Sequence, residues 1–126
     1  MDNKEQALHT FWSSFEWQAI DEQSMYDEDD VEFPYIAYEV MTSNFNREVM
    51  LTANLFDRST SWKRVSEKAN EIADAISMGG KLIPVDGGAI WIKLGSPFAT
   101  RMADESNQDN IRRVYLNITA EFMTAV

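Results

Sequence analysis

The sequence predicts a two-layer α+β sandwich, in which a mainly antiparallel sheet is covered by two amphipathic helices. Two segments carry apolar residues at the three- and four-residue spacing of a helix face. The remaining apolar segments alternate with polar residues or flank turn residues, as the strands of hairpins do. The 126 residues, 44% of them hydrophobic, predict a single domain over residues 1–126 with a substantial core.

The first helix is predicted over residues 3–20. Asp2 or Asn3 can cap it, and Glu5 suits the positive end of the helix dipole. Its apolar stripe consists of Leu8, Phe11, Trp12, Phe15 and Ala19. The polar residues 21–32 have no period, so this segment is predicted as a loop.

The next two segments predict a β-hairpin. Residues 35–42 place Ile36, Tyr38 and Val40 on one face, and the turn-like SNFNR connects them to the second strand, residues 48–56. The second strand places alternate apolar residues on one face, namely Val49, Leu51, Ala53 and Leu55.

Residues 60–78 give the clearest helical pattern. Ser59, Thr60 or Ser61 can supply the N-cap, and Gly79 can take the left-handed conformation that ends a helix. The face expected to pack on the sheet consists of Trp62, Val65, Ala69, Ile72 and Ile76.

The last third predicts a hairpin and a long strand. Asp86-Gly87-Gly88 is a hairpin turn, and Pro84 places the strand 81–85 at a sheet edge because proline lacks a backbone donor. Residues 96–110 are predicted as a long polar connector that becomes ordered on assembly. The strand 111–122 buries one face, Val114, Leu116, Ile118, Ala120 and Phe122, and presents a polar face, Tyr115, Asn117, Thr119 and Glu121, that suits solvent or a subunit contact.

Composition excludes several functional classes. There are no cysteines, no run of about 18 apolar residues and no leader-like N-terminus, so we expect a soluble protein of a cytosol-like compartment. The net charge is −10, and residues 1–46 carry all of it, with eleven acids and one lysine. Such a chain is not expected to bind nucleic-acid phosphates.

No catalytic constellation is evident. His9 is the single histidine and has no recognisable orienting partner, and there is no P-loop, dinucleotide fingerprint or zinc spacing. We therefore expect neither enzyme activity nor a cofactor. The acidic cluster Asp27, Glu28, Asp29, Asp30 and Glu32 lacks the glycine and spacing of an EF-hand loop and the regular spacing of a DNA mimic. The favoured interpretation is a solvated, self-repelling loop.

Positive charge is concentrated in one group, Arg58, Lys63, Arg64, Arg112 and Arg113. These residues are either exposed cations of no special role or part of a subunit interface. In the interface hypothesis, the acids of residues 21–32 on a neighbouring copy are the complement.

The whole pattern resembles the tail terminator (tail completion) proteins of long-tailed bacteriophages and prophages. The resemblance covers about residues 32–122 and lies in the order of FPYIAYEV, VMLTANLFDRSTSW, KRVSEKANEIADAI, a glycine-rich hairpin and RRVYLNITAEF. It implies a virion protein, assembled in the host cytoplasm, that forms a homohexameric ring. The ring caps the tail tube protein, meets the head-side connector protein and lets DNA through its central hole.

The resemblance implies contacts spread over loops and no catalytic residues. A DNA channel should repel phosphate, so acids are expected to line it. The candidates form two groups, Asp27, Glu28, Asp29 and Asp30 in the first and Asp104, Glu105 and Asp109 in the second. The sequence leaves open which group faces the channel, and also the ring size. The alternative function is an acidic inhibitor or adaptor that binds a basic protein.

Overall fold

The computed structural model describes residues 3–21, 32–41, 48–102 and 110–124. They form one six-stranded sheet and two helices. The elements in chain order are α1 (Lys4–Ser13), β1 (Gln18–Asp21), β2 (Tyr35–Met41), β3 (Glu48–Arg58), α2 (Lys63–Ile76), β4 (Lys81–Val85), β5 (Gly88–Met102) and β6 (Ile111–Thr124). Neither helix is long and apolar enough to span a membrane.

The strand order is β1-β2-β3-β6-β5-β4. β1 pairs with β2 in parallel, and all the other neighbours are antiparallel. The centre of the sheet is the β3–β6 pair, whose register runs from Arg58 opposite Ile111 to Glu48 opposite Glu121. The predicted β2–β3 hairpin is confirmed.

The predicted two-layer sandwich is wrong. Strands make up 54% of the structure, and the sheet curls into a half-barrel rather than lying flat beneath two helices. α1 contacts both β1 and β4, which are the two opposite edges of the sheet. The edges therefore bend toward each other around α1. β5 allows part of this curvature through an irregularity between Leu94 and Ala99, because bulges increase the local bend and twist of a strand.

The core fills the inner side of the curled sheet. The predicted inner faces of β2, β3 and β6 are confirmed wherever their side chains are described, and α2 buries Val65, Ala69, Ile72 and Ile76 against them. Trp62 packs at the margin and is only partly buried. Trp12 of α1 is fully buried and stacks on Tyr38 of β2 at 6.1 Å between ring centroids.

The first helix is shorter than predicted. It begins with a capping box in which Asn3 and Gln6 bond each other's backbone amides, which confirms Asn3 as the cap. It ends at Ser13, and Glu16 then adopts a positive φ of 70° that turns the chain into β1. Phe15 and Trp17 are nevertheless buried. Their burial extends the apolar pattern beyond the helix and explains why a strand was predicted as helix.

The ends of α2 also differ from prediction. The N-cap position is occupied by Trp62, whose side chain makes no capping hydrogen bond. The hydroxyl of the preceding Ser61 accepts a hydrogen bond from the Lys63 amide at 3.0 Å. At the other end the chain leaves the helix at Ser77, which has a positive φ of 64° and a ψ of 170°, rather than through a left-handed Gly79 as predicted.

The predicted connector over residues 96–110 is wrong for its first half, because residues 96–102 continue β5 beside β6. These residues are mostly exposed yet extended, since backbone pairing of Ala99–Met102 with β6 rather than burial holds them. The hairpin at Asp86-Gly87 and the edge position of β4 are confirmed. Residues 22–31 of the predicted loop lie outside the described residues, whereas Asp21 belongs to β1.

Candidate functional site

The predicted basic residues come together at one end of the sheet. β3 ends at Arg58, and its pairing with β6 places Asp57 opposite Arg112 and Phe56 opposite Arg113. α2 begins nearby with Lys63 and Arg64. We call this surface the basic–aromatic end, and it comprises Arg58, Lys63, Arg64, Arg101, Arg112 and Arg113 with Phe33, Phe56 and Trp62.

Four of these arginines lie over aromatic rings. Arg101 and Arg112 share Trp62, with their guanidinium carbons 5.0 and 5.5 Å from its ring centroid. The guanidinium carbon of Arg58 lies 4.8 Å from the Phe33 ring centroid. These separations are typical of cation–π attraction, which holds a cation in place without neutralising its charge.

Hydrogen bonds orient the guanidinium groups further. Arg112 donates from Nη2 to the Thr60 carbonyl oxygen at 3.1 Å. Arg113, which lies 5.8 Å from the Phe56 ring centroid, donates from Nε to Asn54 Oδ1 at 2.8 Å. Arginines fixed in this way lose less conformational entropy when a partner binds them.

A buried carboxylate anchors the helix to the sheet at this end. The Asp57 side chain is fully buried, and both of its oxygens accept hydrogen bonds from Arg64 Nε, at 3.1 and 3.0 Å. Arg64 Nη2 also donates to Asp57 Oδ1. These hydrogen bonds raise the pKa of Arg64, whose side chain remains 55% exposed. The pair therefore fixes the start of α2 against β3.

The basic–aromatic end is an open surface. A shallow depression of about 520 Å³ is lined by Arg58, Ser59, Ser61, Lys63, Arg64 and Glu67. It lies in front of the first turn of α2 and is open to solvent. Such a shape suits contact with another macromolecule better than enclosure of a small substrate, which usually needs a concave and largely apolar pocket.

Aromatic rings continue from this end onto the outer face of the sheet. Tyr35 stacks on Phe56 at 4.9 Å, and Phe33 lies 5.3 Å from Tyr35. The outer face of β6, predicted to be polar, is half-buried at Tyr115, Asn117, Thr119 and Glu121. On β3, the polar residues Thr52 and Asn54 are buried.

Sequence reasoning missed Arg101. It lies in the segment predicted as connector. The sequence signal that could have found it is the short run FATRM, residues 98–102, which contains no acidic residue and precedes the acidic part of that segment. Pairing of Arg101 with Val114 brings it to the basic–aromatic end. There it also donates from Nη2 to the Ser66 hydroxyl at 3.4 Å.

His9 forms a structural contact. Its Nδ1 lies 3.0 Å from the hydroxyl oxygen of Tyr38. Burial, followed by the charges of Asp21 and Glu5, raises the pKa of Tyr38 to about 12. A phenol with this pKa stays protonated at neutral pH, and its contact with His9 packs α1 against β2.

The acidic candidates for the channel, Asp27, Glu28, Asp29, Asp30, Asp104, Glu105 and Asp109, lie outside the described residues. Within the described ranges, no group of three or more histidine, aspartate or glutamate residues could hold a metal ion.

Comparison with known protein families finds no matching family model, and comparison with curated proteins finds no significant match. The functional interpretation below therefore starts from the basic–aromatic end and its chemistry.

Proposed function

We propose that this chain is a structural virion protein of a long-tailed bacteriophage. Its copies form a homo-oligomeric ring, with six subunits as in the family it resembles. The ring caps the tail tube protein and joins it to the head-side connector protein. The order of the elements that carry the resemblance is retained, with β2 and β3, α2, the β4–β5 hairpin and β6 following one another.

The observation that carries the proposal is the basic–aromatic end. Arginine and aromatic residues are enriched at protein–protein interfaces and at their energetic hot spots. Here four arginines lie over aromatic rings on an open surface. In a closed ring every contact is heterologous, because one patch of a subunit meets a different patch of the next. A basic patch on an acidic chain suits such a contact.

The net charge supports the role of the ring as a DNA passage. Each subunit carries −10, and this charge is multiplied by the copy number. A wall that bound DNA would release counterions and hold the duplex, whereas an acidic wall avoids that attraction. DNA therefore passes without binding, and the proposal involves no enzymatic step, cofactor or membrane.

The mass of the purified protein in solution tests the proposal. Sedimentation velocity over a concentration series should show mass action toward a ring or its precursors. Arg58 and Lys63 are exposed, so reversing their charge should weaken assembly and leave folding intact. We therefore compare Arg58→Glu and Lys63→Glu with a matched control, Lys81→Glu, on β4.

The control changes charge equally but acts at the other end of the sheet. Lys81 pairs with Ile92, which lies opposite Ala120 of β6, far along the strand from Arg112. Assembly that weakens with Arg58→Glu and Lys63→Glu but not with Lys81→Glu supports the proposal. A monomer at all concentrations, or duplex binding at low salt by the wild type, contradicts it.

A further inference from the structure

Half of β5 has no neighbouring strand on one side among the residues that the structure describes. β4 pairs only with residues 88–92 of this strand, and no strand in the described ranges pairs with Phe98–Met102 on the side opposite β6. Residues 99–102 are exposed on both faces of the sheet. An extended strand with one unpaired side presents backbone donors and acceptors to any segment that can align with it.

The other two edges are blunted. β1 has four residues, and β4 has five with a proline, Pro84, among them. Short strands and prolines are the usual devices against unwanted strand pairing. In β5, Pro97 lies in the irregular stretch before Phe98, so it leaves the five residues from Phe98 to Met102 unprotected. This open half of β5 is therefore the edge of the sheet best able to accept another strand.

Cations flank the open half of β5 on both faces. Arg101 lies on the inner side, where it shares Trp62 with Arg112. On the outer side Met102 is paired with Arg113. A strand added here would place its side chains beside positive charge on both faces, and complementary charge helps to fix partner and register.

We propose that residues 27–32 of a second copy of this chain add to the open half of β5 as an extra strand. Their sequence, DEDDVE, carries acids on both faces of an extended chain, because successive side chains alternate. In such a strand Asp27 and Asp29 would share one face, and Glu28, Asp30 and Glu32 would share the other. Six residues span about 20 Å, enough to cover the five-residue edge.

A second copy of the same edge is a poorer partner, because it would bring two sets of arginines together. The inference deepens the proposed function, on which it rests for the presence of neighbouring copies in a ring. It also selects between the two acidic groups. Acids 27–30 belong to the contact between subunits, which leaves Asp104, Glu105 and Asp109 for the channel wall.

Peptide binding tests the inference directly. A fluorescent peptide of residues 24–34 is titrated with the full chain at a concentration where the chain is monomeric, and anisotropy is measured. A matched peptide carries Asn and Gln in place of the five acids. We expect saturable binding of the acidic peptide and at least tenfold weaker binding of the neutral one.

Two proline variants identify the edge. Successive amide groups of a strand point to opposite sides, so one of Ala99→Pro and Thr100→Pro removes a donor from the open side and the other breaks the ladder to β6. The variant that keeps the melting temperature of the wild type should lose peptide binding. If both proline variants unfold, peptide binding is measured with Arg101→Glu instead, and this variant should bind the acidic peptide more weakly. Lys81→Glu is the charge-matched control.

The outcomes separate this inference from the proposed function. Equal binding of the acidic and neutral peptides, or wild-type binding by a folded edge variant, overturns the inference. Ring formation that persists in Arg101→Glu and in the folded proline variant overturns it too, and leaves the proposed function standing. Edge-dependent peptide binding by a chain that stays monomeric supports strand addition and contradicts the ring.

Discussion

Removing Arg64 should destabilise the protein because it leaves the Asp57 carboxylate buried without its partner. Asp57 is 0% exposed and accepts both Arg64 Nε contacts at about 3 Å. Breaking a buried ion pair from one side costs about 3–5 kcal/mol. Arg64 itself is 55% exposed, so water can enter the space it vacates and reduce that cost. We expect Arg64→Met to lower the free energy of unfolding by about 2–3 kcal/mol.

The double variant Asp57→Leu/Arg64→Met should recover most of this loss. It removes the buried charge together with its partner, and replacing a buried ion pair by apolar side chains of similar size is often close to neutral. We therefore expect the double variant to be more stable than Arg64→Met alone, although it carries one more substitution. Asp57→Leu alone should lie between the double variant and Arg64→Met, since the Arg64 guanidinium can still reach water.

The stability of both variants is measured by thermal and urea unfolding, which circular dichroism follows. For a domain of this size, 1 kcal/mol corresponds to about 4 °C in melting temperature, so Arg64→Met should melt about 8–12 °C below the wild type. Lys63→Met is the control, because it removes a neighbouring exposed cation of the same helix turn. The reasoning is refuted if Arg64→Met melts within two degrees of the wild type, or if the double variant is the less stable.

Three further predictions concern the core, the irregular part of β5 and the buried tyrosine. Ile72→Asp should cost several kcal/mol, because Ile72 is fully buried, whereas Asn70→Asp on the exposed side of the same helix should change the melting temperature little. Gly95→Ala should destabilise the sheet, since a Cβ there would lie 2.5 Å from the Asn117 carbonyl oxygen; a melting temperature equal to that of the wild type would contradict this close approach. The pKa of Tyr38 is raised from 10.0 to about 12, so its contribution to stability is complete below pH 10 and is lost as the pH rises toward 12. The difference in tyrosinate absorbance between the wild type and Tyr38→Phe reports the ionisation of Tyr38 as the pH is raised. Its midpoint should lie near pH 12, and a midpoint near pH 10 would contradict the burial of this phenol.

The sequence was informative where one periodicity dominated. β6 and α2 were predicted almost to their ends, because each buries one regular apolar face, such as Leu116 and Ile118 or Ile72 and Ile76. The first helix was overextended because Phe15 belongs to the same core as the helix although it follows it. The spacing of apolar residues indicates which residues are buried. It does not change where the backbone turns, as it does at Glu16, so the end of the helix could not be located from it.

The curl of the sheet and the continuation of β5 could not be predicted. Curvature arises from contacts between elements distant in the chain, such as α1 with β4. Residues 96–102 show no alternating apolar pattern, because most of them are exposed and an edge strand needs no buried face. For the candidate site, five cations were recognised as a group from composition, whereas their aromatic supports and Arg101 depended on strand register.

The position of β6 beside β3 has a consequence for how the protein is made. β6 lies at the centre of the sheet, yet the ribosome synthesises it after every other described strand. Until then β3 has only β2 beside it and waits for a partner more than 50 residues away along the chain, as the pairing of Arg58 with Ile111 shows. Loop closure over such separations slows folding. A nascent chain halted before Ile111 would consist of two half-sheets with nothing to join them, each exposing apolar surface to chaperones or to other nascent chains.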